Sequence, residues 1–162
     1  MNKLSAIGLL SAALLASAAC TWEEKPMKYD LTDFGTRYAA AWSSQNPAQL
    51  ASFHAENGSL NVNGGPPSIG RAAITAKAQS FMTAFPDMVV KLDRMDHRGD
   101  HPLFRWIWTG TNTGPGGTGK FVRIAGYEEW TMDPHGLIAK SEGHYDEAEY
   151  QRQLKVGAPP QQ

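Results

Sequence analysis

The chain has 162 residues, 41% hydrophobic and 19% charged, which is long enough for one globular domain with a modest core but not for two ordinary domains. Fifteen lysine and arginine residues against sixteen aspartate and glutamate residues give a net charge of -1, without any block of like charges. This balance excludes a basic nucleic-acid-binding surface and an acidic tail. The single cysteine, Cys20, excludes an internal disulfide framework and a zinc ribbon.

The N-terminal residues 1–19 predict an export signal peptide. Lys3 gives a short basic start, residues 4–16 are apolar but too few to span a bilayer comfortably, and small residues follow. Residues 17–20 resemble the bacterial lipobox, except that Ser17 stands where leucine is usual. We therefore expect cleavage before Cys20, lipidation of its thiol, and a polar tether over residues 20–29.

Lipidation would place the protein in the cell envelope, on the periplasmic side of the outer membrane if the cell has one, because Thr21 follows the cysteine. The lipid anchor would then be its only contact with a membrane. The alternative is a secreted or soluble periplasmic protein.

Three helices are predicted in the first half of the mature chain. Asp30 supplies an N-cap for the first helix, whose apolar residues recur at helical spacing and form one buried stripe of Leu31, Phe34, Tyr38, Ala41 and Trp42. Asn46 and Pro47 supply a cap and a first-turn proline for a short second helix over residues 48–53. The third helix has apolar residues at helical spacing from Ile74 onward and ends at Phe85–Pro86.

Strands dominate the second half. Residues 59–62 predict a short strand that ends at a glycine- and proline-rich turn, and from residue 88 the hydrophobic period changes to two. This pattern predicts four strands, over Met88–Asp96, Leu103–Thr111, Phe121–Met132 and Leu137–Tyr145. Short connections favour an antiparallel meander, and helices followed by strands indicate an α+β domain over residues 30–155. A last helix over residues 146–154 precedes a tail, residues 156–162, that we expect to be disordered.

The glycine-rich segment from Gly114 to Lys120 matches the first seven positions of a phosphate-binding loop. The match fails where the chemistry is needed, because Phe121 replaces the magnesium-binding hydroxyl and starts a strand instead of a helix. We therefore predict a flexible hairpin loop and no nucleotide cofactor.

His97 and His101 have a spacing of four residues, which suits a metal site on a helix. The residues between them favour a turn, and no third ligand is close in sequence. We predict a solvated turn and no metal site.

Trp106 and Trp108 share one face of a predicted strand, and Arg105 points to the other face. The indole rings either belong to the core, or form a dimer surface, or provide an aromatic wall for a planar apolar ligand. Arg105 needs an anion, solvent or a carboxylate partner, for which Glu128 and Glu129 on the next strand are candidates.

The last predicted strand ends with Glu142, His144 and Asp146 on one face, where a carboxylate and an imidazole can divide acid and base roles. Asp146 is also an N-cap in an acidic capping box, with Glu149 three residues later. Spacing alone favours the cap over the catalyst.

Several of these features together resemble the SnoaL-like polyketide cyclase family of the nuclear transport factor 2-like superfamily. The resemblance covers Leu31 to Leu154 and depends on the order of short motifs: the first-helix pattern ending in Tyr38 and Trp42, residues 84–87, residues 108–111, residues 128–130 and residues 144–146. It implies a cone-shaped, curved antiparallel sheet wrapped around three N-terminal helices. A pocket would lie at the open end, and a homodimer would form through the outer sheet face, containing some of the tryptophans.

The resemblance also implies an activity and a site. The cyclases that name the family use an aspartate near the end of the last strand as general acid and base, without cofactor or metal; Asp146 matches that position and His144 is its neighbour. We expect the pocket to include Tyr38, Trp42, Arg105 and Glu128. The predicted function is cofactor-free acid-base catalysis of the cyclase, isomerase or hydrolase type on a small apolar or carbonyl compound. The alternative is a non-catalytic module that binds a small molecule or a protein in the cell envelope.

Overall fold

The computed structural model describes residues 30–96, 98 and 101–159. The predicted signal peptide, the tether with Cys20, and His97 lie outside the described residues. Within them, four helices and six strands follow in the order α1 (Leu31–Ser43), α2 (Pro47–Ala51), β1 (His54–Val62), β2 (Ser68–Ile69), α3 (Gly70–Ala84), β3 (Val89–Asp96), β4 (Leu103–Thr111), β5 (Phe121–Met132), β6 (Ile138–Tyr145) and α4 (Glu147–Val156).

The helix ends follow the capping chemistry that the sequence predicts. The Asp30 carboxylate accepts hydrogen bonds from the backbone N–H groups of Thr32 and Asp33 at the start of α1. Asn46 caps α2 through the N–H of Gln49, and Pro47 occupies the first turn. α3 ends at Ala84, two residues before Pro86. These side-chain caps satisfy backbone donors that a helix cannot pair internally.

The strands form one open, curved sheet in the order β2-β1-β6-β5-β4-β3. β3 to β6 pair antiparallel as the predicted meander, which confirms the α+β class. β1 pairs with β6 in parallel, so the sheet contains one parallel pair among its antiparallel ones. This pairing places the first strand directly beside the last.

β1 is longer than predicted and β2 was not predicted. β1 begins at His54, five residues before the predicted start at Ser59, and its register with β6 is interrupted between these two residues. A bulge of this kind hides the alternation of polar and apolar residues. Gly58 lies in the bulge, where a side chain would contact the backbone carbonyl of Ile138 at 2.7 Å.

The core lies between the inner face of the sheet and helices α1 and α3. Tyr38 on α1 is fully buried and makes edge-to-face contacts with Phe104 on β4 and Trp130 on β5, whose own rings stack 5.0 Å apart. Trp108 is buried and Trp106 borders the interior cavity described below. The prediction that these tryptophans form an outer apolar surface is therefore wrong, because Trp130, Trp108 and Trp106 share the face that covers the helices.

The C-terminal segment continues beyond the predicted helix end. α4 extends to Val156, and the N–H of Ala158 donates a 2.7 Å hydrogen bond to the carbonyl of Phe121 at the start of β5. Residues 156–158 are thus held against the sheet. Among the described residues, no helix has the length and hydropathy needed to cross a bilayer.

Candidate functional site

A small cavity of about 60 Å³ lies between the inner face of the sheet and the helices. Five aromatic side chains border it: Trp42, Phe81, Trp106, Trp108 and Tyr145. Aliphatic residues, Met88 and the backbone of Gly143 form most of the remaining wall. Glu128 supplies the only carboxyl group among the lining residues, so this cavity is an apolar pocket with one acidic group.

Three donors converge on one oxygen of Glu128. The hydroxyl of Tyr38 donates to Oε2 at 2.9 Å, the indole N–H of Trp130 at 3.0 Å and the hydroxyl of Ser141 at 2.6 Å. Oε1 accepts no hydrogen bond from the described residues. Because Oε2 is saturated, a ligand in the pocket would interact with the carboxyl group through Oε1.

The environment of Glu128 acts on its proton affinity in two directions. Burial raises the pKa of the Glu128 carboxyl above its usual value, while the hydrogen bonds from Ser141, Trp130 and Tyr38 oppose this shift by stabilising the charged form. The pKa of Tyr38 is also raised, through burial and the neighbouring carboxylate. Tyr38 therefore acts as a hydrogen-bond donor to Glu128 at neutral pH.

Two donors in the pocket wall lack acceptors. The indole nitrogens of Trp106 and Trp108 are buried, and neither has a hydrogen-bond partner among the described residues. Burial of an N–H group without an acceptor costs free energy. Alternation along the strand predicts that both indoles share one face, but their lack of hydrogen-bond partners becomes visible only in the tertiary structure.

Three of the four predicted pocket residues belong to this site. Trp42 and Glu128 line the cavity. Tyr38 does not line it but donates a hydrogen bond to Glu128. Arg105 does not belong to it, because it lies on the opposite face of β4 and pairs with Asp96 at 2.5 Å. The expectation that Glu128 or Glu129 is the partner of Arg105 is also wrong: β3 carries the partner, and Glu128 faces inward.

His144 and Asp146 lie in an open groove on the outer face of the sheet, together with Arg105 and Tyr127. Neither lines the interior cavity. Their alternation along the last strand is as predicted, but it is the intervening residues Gly143 and Tyr145 that face the pocket.

Asp146 forms the predicted N-cap. Its carboxylate accepts a 3.0 Å hydrogen bond from the N–H of Glu149 at the start of α4. The reciprocal half of the capping box does not form, because the Glu149 carboxylate binds Arg152 and Gln153 instead. Asp146 is exposed to solvent at this position.

The glycine-rich motif is placed as a loop. Residues 114–120 connect β4 to β5, and a strand follows them where a phosphate-binding loop needs a helix N-terminus. In the part of the chain that the structure describes, no three histidine, cysteine or acidic side chains are grouped to hold a metal ion.

Sequence signals for the donors to Glu128 were weak. Trp130 is two residues from Glu128 on one strand and therefore shares its face, which alternation alone predicts. Ser141 belongs to the neighbouring strand β6 and comes close only through sheet pairing.

Comparisons with known protein families and solved structures agree with the fold. The family model of the SnoaL-like polyketide cyclases matches residues 32–154. No curated protein matches the chain.

Solved structures of similar fold are distant in sequence. A hypothetical protein with a ketosteroid isomerase-like fold from Catenulispora acidiphila, solved in complex with trimethylamine, has a TM-score of 0.65 and 19% identity over 74% of this chain and 89% of its own. The epoxide hydrolase/cyclase-like enzyme SalBIII has a TM-score of 0.62 and 17% identity over 72% of this chain and 91% of its own. A putative SnoaL-like polyketide cyclase from Jannaschia sp. CCS1 has a TM-score of 0.62 and 15% identity over 82% of this chain and 98% of its own. The family model covers most of the domain, and the chain belongs to the SnoaL-like polyketide cyclase family.

Proposed function

We propose that the interior pocket binds a small, mainly apolar carbonyl compound and that Glu128 exchanges a proton with it, without a cofactor. The observation that carries this proposal is the buried Glu128 carboxyl, which borders an apolar cavity and has one oxygen saturated by three donors. A carboxyl whose pKa is raised by burial is suited to acid-base work near neutral pH.

The hydrogen-bond pattern determines where the proton is held. Three donors occupy Oε2, so the proton of the neutral acid resides on Oε1. As a base, Oε1 takes a proton from a carbon or hydroxyl group of the ligand. As an acid, it returns that proton to another atom of the same molecule, which is the net change in an isomerisation or an intramolecular ring closure.

A carbonyl group also suits the two unpaired indoles. The ligand's carbonyl oxygen would supply an acceptor for the buried N–H groups of Trp106 and Trp108, which have none among the described residues. Hydrogen bonds to that oxygen stabilise the negative charge that develops when a proton leaves the neighbouring carbon.

The cavity limits the size of the ligand. At about 60 Å³ it is well below the roughly 150 Å³ cavity that holds benzene in an engineered protein. A polycyclic substrate therefore requires the pocket to widen, whereas a small ketone or aldehyde is the better match to the pocket as described.

The test is proton exchange with solvent, since it requires no knowledge of the product. Small ketones would be incubated with the protein in D₂O, and loss of the α-proton signal followed by NMR. We expect catalysed exchange in the wild type, and a loss of about a hundredfold or more in Glu128→Gln. Glu129→Gln changes the adjacent, half-exposed carboxylate and serves as the matched control. Full activity in Glu128→Gln would exclude Glu128 as the acid-base group.

Non-catalytic binding is the second candidate function. Among the described residues that line the cavity, Glu128 has the only carboxyl group and none is a histidine, so the phenol of Tyr145 is the one other acid-base group in the lining. Native mass spectrometry that finds a bound small molecule, together with no turnover of ketones, esters or epoxides, would favour this candidate. This second candidate function also includes binding of a protein partner in the cell envelope.

Export, lipidation and assembly are also proposals. Residues 1–20 support an exported protein anchored through Cys20, with a secreted or soluble periplasmic protein as the alternative. A homodimer through the outer sheet face would cover Ile107, Ala125 and Tyr127. Catalysis by His144 and Asp146 in the outer groove, on that same face, is a further hypothesis. Substitution of Asp146 tests it.

A further inference from the structure

The interior pocket contains a buried acid without a cation. Glu128 is 5% exposed and makes no ion pair with any residue that the structure describes. Ionised groups buried in proteins are ordinarily paired, because water no longer stabilises their charge. Either a proton or a positively charged ligand can neutralise this carboxylate.

Three of the aromatic side chains that line the pocket pack edge to face. The rings of Trp42 and Phe81 are 6.1 Å apart with an interplanar angle of 83°, and the rings of Phe81 and Trp108 are 5.9 Å apart at 88°. Trp106 and Tyr145 add two further aromatic side chains to the lining. Edge-to-face packing fixes these three rings in the pocket lining, and the quadrupole of a ring attracts a cation that lies over its face.

We propose that this pocket accepts a compact tertiary or quaternary alkylammonium ion, with the aromatic side chains as a cage and Glu128 as the counter-ion. The inference uses the pocket of the proposed function but does not depend on catalysis. An alkylammonium ion that occupied the cage would compete with the carbonyl ligand for the same space. Trimethylammonium and tetramethylammonium are close to benzene in size, so the pocket has to widen to hold either ion.

The composition of the lining selects this class among cations. A metal ion needs several oxygen, nitrogen or sulfur ligands, and the lining supplies one carboxyl group. A primary ammonium has three N–H groups to satisfy, whereas Glu128 offers only Oε1. A tertiary ammonium has one N–H group and a quaternary ammonium has none, and their methyl groups match apolar walls.

Binding of the cation should depend on pH in one direction. The cation favours ionised Glu128, so affinity should increase as the pH rises and then reach a plateau. The other titratable side chains around the pocket are Tyr38, Tyr145 and, behind Tyr38, His54. Burial raises the pKa of both tyrosines and lowers the pKa of His54 to about 4, so all three stay neutral between pH 5 and 9.

The experiment compares two ligands of similar shape and different charge. Tetramethylammonium chloride and neutral tert-butanol would be titrated into the full-length protein by calorimetry and by NMR of the indole N–H signals, with sodium chloride matching the ionic strength. We expect tetramethylammonium to bind about tenfold or more tightly than tert-butanol. Glu128→Gln and Phe81→Leu should each weaken binding of tetramethylammonium by a similar factor. Glu129→Gln should leave the affinity for this cation unchanged.

Equal affinity for the two ligands, no binding of tetramethylammonium, or full cation affinity in Glu128→Gln would each overturn the inference. The comparison of the two ligands uses the wild type alone, so it holds even if a variant fails to fold. Failure of the proposed catalysis is a separate result: ketone exchange would be absent while the preference for the cation persisted.

Discussion

The indole ring of Trp106 packs directly over Gly126, its partner on the neighbouring strand β5. A Cβ atom at position 126 would collide with Cζ2 and Cη2 of the indole, and would lie 2.5 Å from the carbonyl oxygen of His144 on β6. The absence of a side chain at Gly126 therefore lets Trp106 occupy the pocket wall. A single glycine thus shapes one aromatic side of the cavity.

Gly126→Ala should displace the indole of Trp106 and lower the free energy of unfolding by about 1–3 kcal/mol, the usual cost of overpacking. Urea unfolding measures the loss, and the indole N–H resonance of Trp106 reports the displacement. In a Trp106→Leu background the same substitution should cost less, since the ring is gone and only the contact with the His144 carbonyl persists. Identical costs in both backgrounds would show that the ring contact is unimportant.

Two substitutions of Asp146 distinguish its helix-capping role from the catalytic hypothesis. Asparagine caps a helix about as well as aspartate, whereas alanine loses about 1 kcal/mol. We expect Asp146→Asn to retain both the melting temperature and ketone exchange, and Asp146→Ala to lose stability alone. If Asp146→Asn instead folds normally and loses exchange by about a hundredfold, the acid-base group lies in the outer groove.

His54 should make the protein less stable in mild acid. It is fully buried, and burial lowers its pKa from 6.5 to about 4. The unfolded state therefore binds the proton first as the pH falls below 6.5, and stability decreases by about 3 kcal/mol on approaching pH 4. Unfolding free energies measured from pH 7 to 4 should show a shallower decline in His54→Gln. The exposed His135 provides the control, and His135→Gln should follow the wild type.

Ser141→Ala should raise the pKa of Glu128 further, because the Ser141 hydroxyl donates a 2.6 Å hydrogen bond that favours the charged form. A ¹³C NMR titration of the Glu128 carboxyl measures the shift. Since the folded-state pKa of Glu128 is already raised, its contribution to stability is present below the unfolded value and is lost as the pH rises through the folded value. This loss should extend to higher pH in Ser141→Ala and disappear in Glu128→Gln. An unshifted carboxyl titration in Ser141→Ala would contradict this role for the serine.

Cys20→Ala should abolish lipid attachment and release the domain into the soluble fraction, because no thiol remains for acylation. Metabolic labelling with a fatty-acid analogue and fractionation of the cells measure both effects. Wild-type protein that is unlabelled and already soluble would exclude the lipoprotein hypothesis.

Local sequence patterns determined most of the secondary structure. Asp30, Asn46 and Asp146 identify helix starts because their side chains accept hydrogen bonds from backbone N–H groups a few residues later. The period of two gave β4 and β5 with their observed ends, and it placed Trp106 and Trp108 on one face. These features depend on neighbours in the chain, so the sequence contains them directly.

Tertiary structure decided which face of the sheet became the pocket. Alternation assigns residues to two faces but does not say which face packs against the helices, because a strand's period is the same from either side. Arg105, His144 and Asp146 therefore lie outside, and Glu128, a charged residue in a polar pair with Glu129, lies inside. Its burial depends on Tyr38, Trp130 and Ser141, which come from three different elements and meet at one oxygen only when the sheet closes over α1.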